Sequence, residues 1–246
     1  MIREVRGGRN TYGEIIGIIM NERTFPRIPG EMGNATTFDF PVRFHVVRGL
    51  DVSTRWRLFT GGDEFVEPFI EAAKALEQAG VRAITSNCGF LILYQDVLAD
   101  AVNIPVFTSS LLQIPLVYRM LRKDQIIGVL TADGSSRGLG KKHLDAAGAG
   151  DIPVVIAGME NSEGFRTITE NLDILYPEKL RDDMVDAAKT LVGNHPEIGA
   201  FVLECANMPP YSKWIQEAVD LPVFDYVTLT NMVYSAVVKR EFNGLM

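Results

Sequence analysis

The stretch Phe201-Val-Leu-Glu-Cys-Ala-Asn-Met-Pro-Pro210 is similar in pattern to an earlier segment, Ala83-Ile-Thr-Ser-Asn-Cys-Gly-Phe90. Each is a short apolar run that reaches a cysteine and then breaks into residues typical of turns. Cys88 and Cys205 are the only cysteines of the chain, and each precedes a Pro-Val-Phe triplet by seventeen residues. The matched spacing predicts two similar halves, each of which places one thiol at an equivalent point.

Short runs rich in β-branched residues alternate with helical patterns along the rest of the chain. Strands are predicted over residues 14–20, 43–47, 81–85, 104–107, 126–131, 154–157, 198–203 and 221–224. Helices are predicted over residues 65–79, 91–101, 111–121, 134–147, 180–191, 209–218 and 228–240, with a long loop over 21–41 and an irregular segment over 159–177.

This alternation is typical of parallel α/β sheets, and its doubling predicts a fold class of two pseudo-symmetric, Rossmann-like α/β/α domains with the active site at their interface. The first domain is predicted over residues 1–123 and carries Cys88, and the second over residues 124–246 and carries Cys205. The last helix is a candidate for packing back on the first domain.

The composition is that of a soluble globular protein, with 47% hydrophobic and 22% charged residues and no apolar run long enough to span a membrane. There are 24 basic and 31 acidic residues without a basic cluster, so neither nucleic acid nor a membrane is an expected partner. Residues 1–13 are predicted to be a loose lead-in, and the start of the chain lacks an apolar signal segment, so a cytoplasmic location is expected. The two cysteines lack the spacing of a zinc site, and therefore no metal is predicted.

Both cysteines follow a predicted strand and lead toward a helix, and ligands of open α/β sheets bind beyond the carboxyl ends of the strands. A helix N-terminus or a nearby cation lowers the pKa of a thiol, so a thiolate can be maintained there. Two thiols that face each other across a cleft can remove a proton from one face of a carbon and deliver a proton to the other. We therefore predict one site, with Cys88 and Cys205 as its catalytic pair and with no cofactor.

The negative charge that develops on such a substrate needs hydrogen-bond donors from the turns after the strands. Candidate substrate-binding residues are Asn21, Arg23, Asn87, Gly89, Phe90, Thr131, Ser135, Ala206 and Asn207. Arg23 and Arg27 lie in the loop after the first strand, where they either hold a carboxylate or are solvated. Glu204 is either an acid of the site or a bystander, and the sequence does not separate these two roles.

The segments Ser86-Asn-Cys-Gly and Leu203-Glu-Cys-Ala-Asn-Met, with Gly-Val-Leu-Thr131 between them, resemble the aspartate/glutamate racemase superfamily. That superfamily also includes hydantoin racemases, maleate isomerases and arylmalonate decarboxylases. The resemblance covers residues 15 to about 240, and it implies two α/β domains and a cofactor-independent mechanism that uses Cys88 and Cys205.

Two departures from the family pattern bear on the substrate. Asn87 precedes Cys88 and Gly-Phe follows it, whereas amino acid racemases usually have Cys-Asn-Thr there, so this motif is closer to that of hydantoin racemases. The Asp-Ser pair typical of glutamate racemases is also absent after the first strand. These departures weigh against glutamate as the substrate, and the presence of both cysteines weighs against the decarboxylases.

The expected function is racemisation or epimerisation of an amino acid, hydantoin or related carboxylate by two-cysteine proton transfer. One alternative is a maleate-type cis-trans isomerase in which a cysteine adds to the substrate. Another is a protein that binds a small molecule without chemistry. The expected partners are a small-molecule carboxylate and a second copy of the chain, since closed dimers are the commonest assemblies.

Overall fold

The computed structural model of the protein describes residues 4, 7–242 and 244. Residues 1–3, 5 and 6 of the predicted lead-in lie outside the described residues. In the described part of the chain, two four-stranded parallel sheets are each flanked by helices, which confirms the predicted fold class. The strands are β1 (Ile16–Asn21), β2 (Val42–Val47), β3 (Ala83–Ser86), β4 (Val106–Phe107), β5 (Ile126–Thr131), β6 (Val154–Gly158), β7 (Ile198–Leu203) and β8 (Val223–Phe224).

The helices lie between these strands and after the last of them. They are α1 (Arg55–Phe59), α2 (Val66–Ala79), α3 (Gln95–Ala101), α4 (Ile114–Met120), α5 (Lys141–Ala146), α6 (Arg166–Glu170), α7 (Pro177–Asn194), α8 (Ser212–Val219) and α9 (Tyr226–Val237). Single 3-10 turns precede several of them, including Gly89–Tyr94 before α3 and Pro209–Tyr211 before α8.

The two sheets repeat one another strand by strand. Their orders are β2-β1-β3-β4 and β6-β5-β7-β8. The amide of Ile84 donates to the carbonyl of Pro105 at 2.9 Å, and the amide of Phe201 donates to that of Pro222 at 2.8 Å. The Val-Phe pairs after these prolines are strands β4 and β8. The repeated triplet is therefore explained by strand pairing in equivalent register.

The predicted strands are all present, but several helix predictions are corrected. The helices predicted from residues 91 and 209 begin at Gln95 and Ser212, after 3-10 segments, and α1 and α6 are absent from the prediction. The helix predicted over residues 134–147 begins only at Lys141, because the segment before it folds into turns around Asp133. The carbonyl of Asp133 accepts the amide of Leu139 at 2.8 Å, and its carboxylate accepts the amide of Ser135 at 2.9 Å. The helix predicted over residues 111–121 begins as α4 at Ile114, and Pro115 lies in its first turn, where its missing N–H breaks no helical hydrogen bond.

The halves meet along a polar seam. The hydroxyl of Ser110, in the first half, donates to the carbonyl of Leu203 at 2.6 Å. Helix α9 then returns to the first sheet, where the hydroxyl of Tyr226 donates to the carbonyl of Thr108 at 2.7 Å. The ring of Tyr234 stacks on Phe40 with 3.7 Å between centroids. These contacts fix the carboxyl ends of the two sheets against each other.

No helix in residues 4, 7–242 and 244 combines the length and the apolar character that crossing a membrane requires.

The centre of strand β5 is packed too tightly for a side chain at Gly128. A Cβ there would lie 2.8 Å from the ring of Phe201, which is fully buried and has no room to move. We expect Gly128→Ala to lower the free energy of unfolding by about 1–3 kcal/mol. Gly193→Ala is the matched control, because residue 193 lies in the last turn of α7 with open space around it, so the stability of this variant should change by less than about 0.5 kcal/mol. Urea denaturation measures both values, and equal stability of the two variants would contradict the packing argument.

Candidate active site

The carboxyl ends of β3 and β7 face each other across the seam and enclose a cavity of about 60 Å³. Both cysteines line it, so the structure brings together the two thiols that the sequence repeat singles out. The full lining is Asn21, Arg23, Phe25, Arg55, Phe59, Asn87, Cys88, Phe90, Ala132, Phe165, Ile168, Thr169, Glu204, Cys205 and Asn207.

The two turns that follow β3 and β7, which we call the cysteine turns, have matching hydrogen bonds. The carbonyl of Cys88 accepts the amide of Leu91, and the carbonyl of Cys205 accepts the amide of Met208, both at 3.0 Å. Each carbonyl thus opens a tight turn directly after a buried strand, which aims the thiol into the space between the sheets. The equivalence of the two cysteines is therefore one of backbone geometry as well as of spacing.

The Cys88 thiol is held in its protonated form. Burial raises its pKa to about 12, and the negative charge of Glu204 adds to the rise. The amide of Phe90, the charge of Arg23 and the side chain of Asn21 act in the opposite direction. Because these groups favour the charged form, they are the ones that can stabilise a thiolate at Cys88 once it forms.

The Cys205 thiol is buried more deeply, with 6% of its surface exposed. Burial raises its pKa well above the ordinary value, and the charge of Glu204 raises it further. The side-chain amide of Asn207 donates to its sulfur at 3.2 Å, which favours the thiolate. Both thiols are therefore weak acids at rest and strong bases once deprotonated.

The Glu204 carboxyl group lies at the same cavity and is 1% exposed. Its Oε2 accepts the hydroxyl of Thr131 at 2.8 Å and the amide of Ala132 at 3.2 Å, while its Oε1 has no hydrogen-bond partner. Burial raises the pKa of Glu204 to about 7, against the effect of these two hydrogen bonds. The structure places Glu204 in the site, where the sequence left its role open.

Two arginines supply positive charge. Arg23 Nη1 and Arg55 Nε are buried in the cavity wall without hydrogen-bond partners. Arg55 is held by its Nη1, which donates to the carbonyl of Thr169 at 2.6 Å, and by the ring of Trp56 beneath it. Arg27 does not line the cavity but pairs with the buried carboxylate of Glu31. Arg23 and Arg55 are thus the cations available to a carboxylate ligand.

Four phenylalanine rings form the apolar part of the wall: Phe25, Phe59, Phe90 and Phe165. Phe59 stacks on Phe90 with 3.7 Å between centroids, and the buried ring of His143 meets Phe90 edge-on. His143 accepts the amide of Gly140 at Nδ1 and lies 2.9 Å from the carbonyl of Phe59 at Nε2. His143 is therefore a neutral structural support of the wall, since burial also lowers its pKa.

A clasp joins the two halves beside the cavity; we define it as Asn171 with Thr24 and Phe25, of which Phe25 lines the cavity. The Asn171 Oδ1 accepts the amides of Thr24 and Phe25 at 2.8 and 3.2 Å, and its Nδ2 donates to the Thr24 hydroxyl at 3.1 Å. Asn171 ends α6 in the left-handed conformation, with φ of 58°. One side chain of the second half thus holds the loop that carries Arg23.

Of the sequence-predicted site residues, the cavity wall includes the two cysteines with Asn21, Arg23, Asn87, Phe90 and Asn207. Four others do not line it. Thr131 lies behind Glu204, Gly89 is buried against Glu204, Ser135 lines a neighbouring surface cleft, and the carbonyl of Ala206 accepts the amide of Met32. In the described part of the chain, no group of three or more His, Cys, Asp or Glu side chains is arranged to hold a metal ion.

The wall residues that the sequence reasoning missed are Phe25, Arg55, Phe59, Ala132, Phe165, Ile168 and Thr169. Most lie on α1 and α6, which have five residues each. Helices of this length show no periodic pattern, so the only available signal was the run of aromatic and basic residues around Trp56.

The chain belongs to the Asp/Glu/hydantoin racemase family, because the model of that family matches residues 35–231. The family membership confirms the resemblance noted in the sequence and places the chain among enzymes. The fold is also that of unliganded arylmalonate decarboxylase, with a TM-score of 0.56 at 14% identity, over 93% of this chain and 95% of that one.

Among curated proteins, the chain is similar to dimethylsulfoniopropionate lyases of two organisms. It is 31% identical to dimethylsulfoniopropionate lyase 6 of Emiliania huxleyi over an alignment of 241 residues. This alignment covers 94% of this chain and 61% of that protein. It is 28% identical to the dimethylsulfoniopropionate lyase of Durusdinium sp. clade D over an alignment of 240 residues. This alignment covers 94% of this chain and 77% of that protein. The chain thus spans about three fifths of the first of these relatives and about three quarters of the second.

Opening of the clasp should expose Cys88. Asn171→Gly keeps a residue that tolerates the left-handed conformation but removes three hydrogen bonds, so we expect iodoacetamide to modify Cys88 about tenfold faster or more. Peptide mass spectrometry measures the rate. Asp220→Gly is the control, because Asp220 is another non-glycine residue with positive φ and is exposed. A Cys88 rate unchanged in Asn171→Gly would contradict the closing role of the clasp.

The buried Glu204 carboxyl should make stability depend on pH. Its folded pKa is raised to about 7, so its contribution to stability is fully present below its unfolded pKa of about 4.5 and is lost as pH rises through about 7. Glu204→Gln stays neutral, so its free energy of unfolding should gain up to about 3 kcal/mol relative to wild type between about pH 5 and pH 8. Denaturant titrations across this range test the expectation. Parallel curves for the two proteins would refute it.

Proposed function

We propose that this chain is a lyase that catalyses β-elimination from a small carboxylate bearing a dialkylsulfonium group, with dimethylsulfoniopropionate as the probe substrate. The observation that carries the proposal is the joint placement of two thiols, two unpaired arginine nitrogens and four phenylalanine rings in one small cavity. The similarity to dimethylsulfoniopropionate lyases supports the choice of reaction.

The carboxylate end of such a substrate suits the arginine side of the cavity. Arg23 Nη1 and Arg55 Nε are buried donors without partners, and hydrogen bonds between a guanidinium and a carboxylate are among the stronger ones in proteins. Both thiols line the same cavity as these arginines, so a carboxylate bound there lies in a space that the thiols also border. The positive charges also stabilise the enolate-like charge that develops when the α-proton leaves.

The sulfonium end suits the aromatic side. A dimethylsulfonium is a cation covered by methyl groups, and such cations are attracted to the faces of aromatic rings. The rings of Phe59, Phe90 and Phe165 line the same cavity as the two arginines. One cavity therefore offers guanidinium groups for the carboxylate of the probe and aromatic rings for its sulfonium.

The elimination needs one base and no co-reactant. The reaction requires one cysteine in its thiolate form, which the charge of Arg23 and the side chain of Asn21 favour at Cys88. The thiolate takes the α-proton, the electrons of that C–H bond form the carbon–carbon double bond, and the bond from the β-carbon to sulfur breaks. The sulfur keeps that electron pair, so neutral dimethyl sulfide leaves together with acrylate. Either cysteine is placed to act as the base, since both line the cavity.

Racemisation or epimerisation is the second candidate, and the presence of a second thiol favours it. A two-base racemase uses one thiol on each face of the carbon and returns a proton to the substrate. An elimination leaves the second thiol without a necessary proton-transfer role. The two reactions therefore differ in how many cysteines they need.

The test measures dimethyl sulfide by gas chromatography after incubation with dimethylsulfoniopropionate. We expect release by the wild type and at least about a 10³-fold loss for Ser in place of the cysteine that acts as base, with a smaller loss for the other cysteine. Arg23→Gln and Arg55→Gln should each raise KM about 10-fold to 100-fold, because each removes a charged hydrogen bond. Arg122→Gln is the control, since Arg122 is exposed and pairs with Asp124.

Amino acids and hydantoins are then incubated in deuterated water and followed by NMR. Absence of dimethyl sulfide, together with deuterium at a stereocentre that is lost when either cysteine is changed, would replace the lyase proposal by the racemase. A covalent adduct on one cysteine with maleate would point instead to cis-trans isomerisation. Stabilisation by a ligand without any turnover would indicate a binding protein.

A further inference from the structure

The free oxygen of Glu204 is a buried group for which the elimination as described has no use. Glu204 Oε2 is held by Thr131 and Ala132, whereas Oε1 is buried without a partner. A buried carboxylate oxygen without a hydrogen bond or an ion pair is costly, so its retention calls for a reason.

The hydrogen bond by which Glu204 holds the backbone after β5 does not require a carboxylate. At the equivalent position of the first half stands Asn87, whose Oδ1 accepts the amide of Asn21 at 2.9 Å, just as Glu204 accepts the amide of Ala132. The amides of the two residues also make matching bonds, from Asn87 to Ile19 at 3.0 Å and from Glu204 to Leu130 at 2.8 Å. A neutral amide thus accepts this hydrogen bond in one half, and the fold alone does not explain an acid in the other.

The location of Oε1 relates it to both thiols. A side chain at Gly89 would overlap Glu204 Oε1, so this oxygen lies against the turn that carries Cys88. Glu204 is also the chain neighbour of Cys205, and its charge acts on both thiols. The other titratable groups that interact with it are Asp133 and the hydroxyl of Tyr226, and Arg23 and Arg55 line the same cavity.

We propose that Glu204 is a proton-relay residue that takes the proton from the catalytic thiol after each turnover. The proposal rests on the elimination proposed above, because that reaction releases one proton for every substrate consumed. The thiolate receives the α-proton and becomes a thiol. Its S–H proton moves to the Glu204 carboxylate while the charge of Arg23 and the side chain of Asn21 stabilise the thiolate that forms again at Cys88, and the carboxylic acid gives the proton to water that enters the cavity once the products have left. A racemase returns its proton to the substrate and needs no such exit.

The test compares wild type with Glu204→Gln, which keeps an oxygen for Thr131 and Ala132 but cannot accept the thiol proton. Glu204→Asn, which copies the first half, is a second variant in case the longer amide misfolds. Glu197→Gln is the control, because Glu197 precedes the same strand at its other end and is exposed, and the change in net charge is the same. Dimethyl sulfide release and the iodoacetamide rate of each cysteine are measured between about pH 5.5 and about pH 9.

We expect Glu204→Gln to lower kcat about 10²-fold or more while its cysteines react with iodoacetamide as fast as those of wild type or faster. This combination distinguishes a relay from two other roles. If Glu204 were only structural, turnover and the iodoacetamide rate would both fall; if its charge only repelled the thiolates, both rates would rise. The iodoacetamide rate of wild type should also bend near pH 7, where Glu204 ionises and opposes the thiolate, and Glu204→Gln should lack the bend.

Wild-type turnover in Glu204→Gln would overturn the relay, and so would a parallel loss of turnover and thiol reactivity, or a wild-type profile without the bend. If wild type releases no dimethyl sulfide, the proposed elimination fails on that measurement alone. The relay then has no reaction to serve and is overturned with it. If wild type does release dimethyl sulfide, any of the three outcomes above overturns the relay alone, so the two failures are distinguishable.

Discussion

Close approach of the two cysteine turns is the constraint on which the site depends, and Gly89 makes it possible. Any side chain at residue 89 would overlap both the carboxylate and the backbone carbonyl of Glu204. Because residue 89 has none, the turn after β3 lies directly against the turn after β7. Ser110 then ties the halves together through the carbonyl of Leu203. Without this approach, the thiols would belong to two separate clefts.

The site combines groups that would each be unfavourable alone. Two thiols and a carboxyl are buried together, which raises the pKa of all three, and two guanidinium groups stand in the same wall with unpaired nitrogens. In the proposed elimination, a bound carboxylate would relieve part of this cost, because it pairs the guanidinium donors with a negative charge. The free energy of binding would then act on the carboxylate end of the substrate, which stays in the acrylate product.

The repeat made most of the fold predictable, because equivalent strands pair in equivalent register and leave the same spacing in the sequence. Cys88 and Cys205 were found for that reason. Arg55 and Thr169 were not, since α1 and α6 are too short for a periodic pattern and meet only across the seam. Ser135 was expected in the site but lies in a neighbouring cleft, because Asp133 bends the chain away before α5 begins. Local pattern thus located the thiols, whereas contacts between distant segments decided their surroundings.

The return of α9 to the first sheet has a consequence for how the chain reaches its fold during synthesis. Tyr226 and Leu229 fill an apolar cluster with Ile16, Ile18 and Phe40, so one face of the first sheet is completed only by residues that follow the last strand of the second sheet. The first half therefore leaves the ribosome with that face uncovered, while the second half is still being made. Any cellular factor that protects nascent apolar surface would act on this half first. The same dependence means that separating the halves between β4 and β5 would leave the first one without its own last layer.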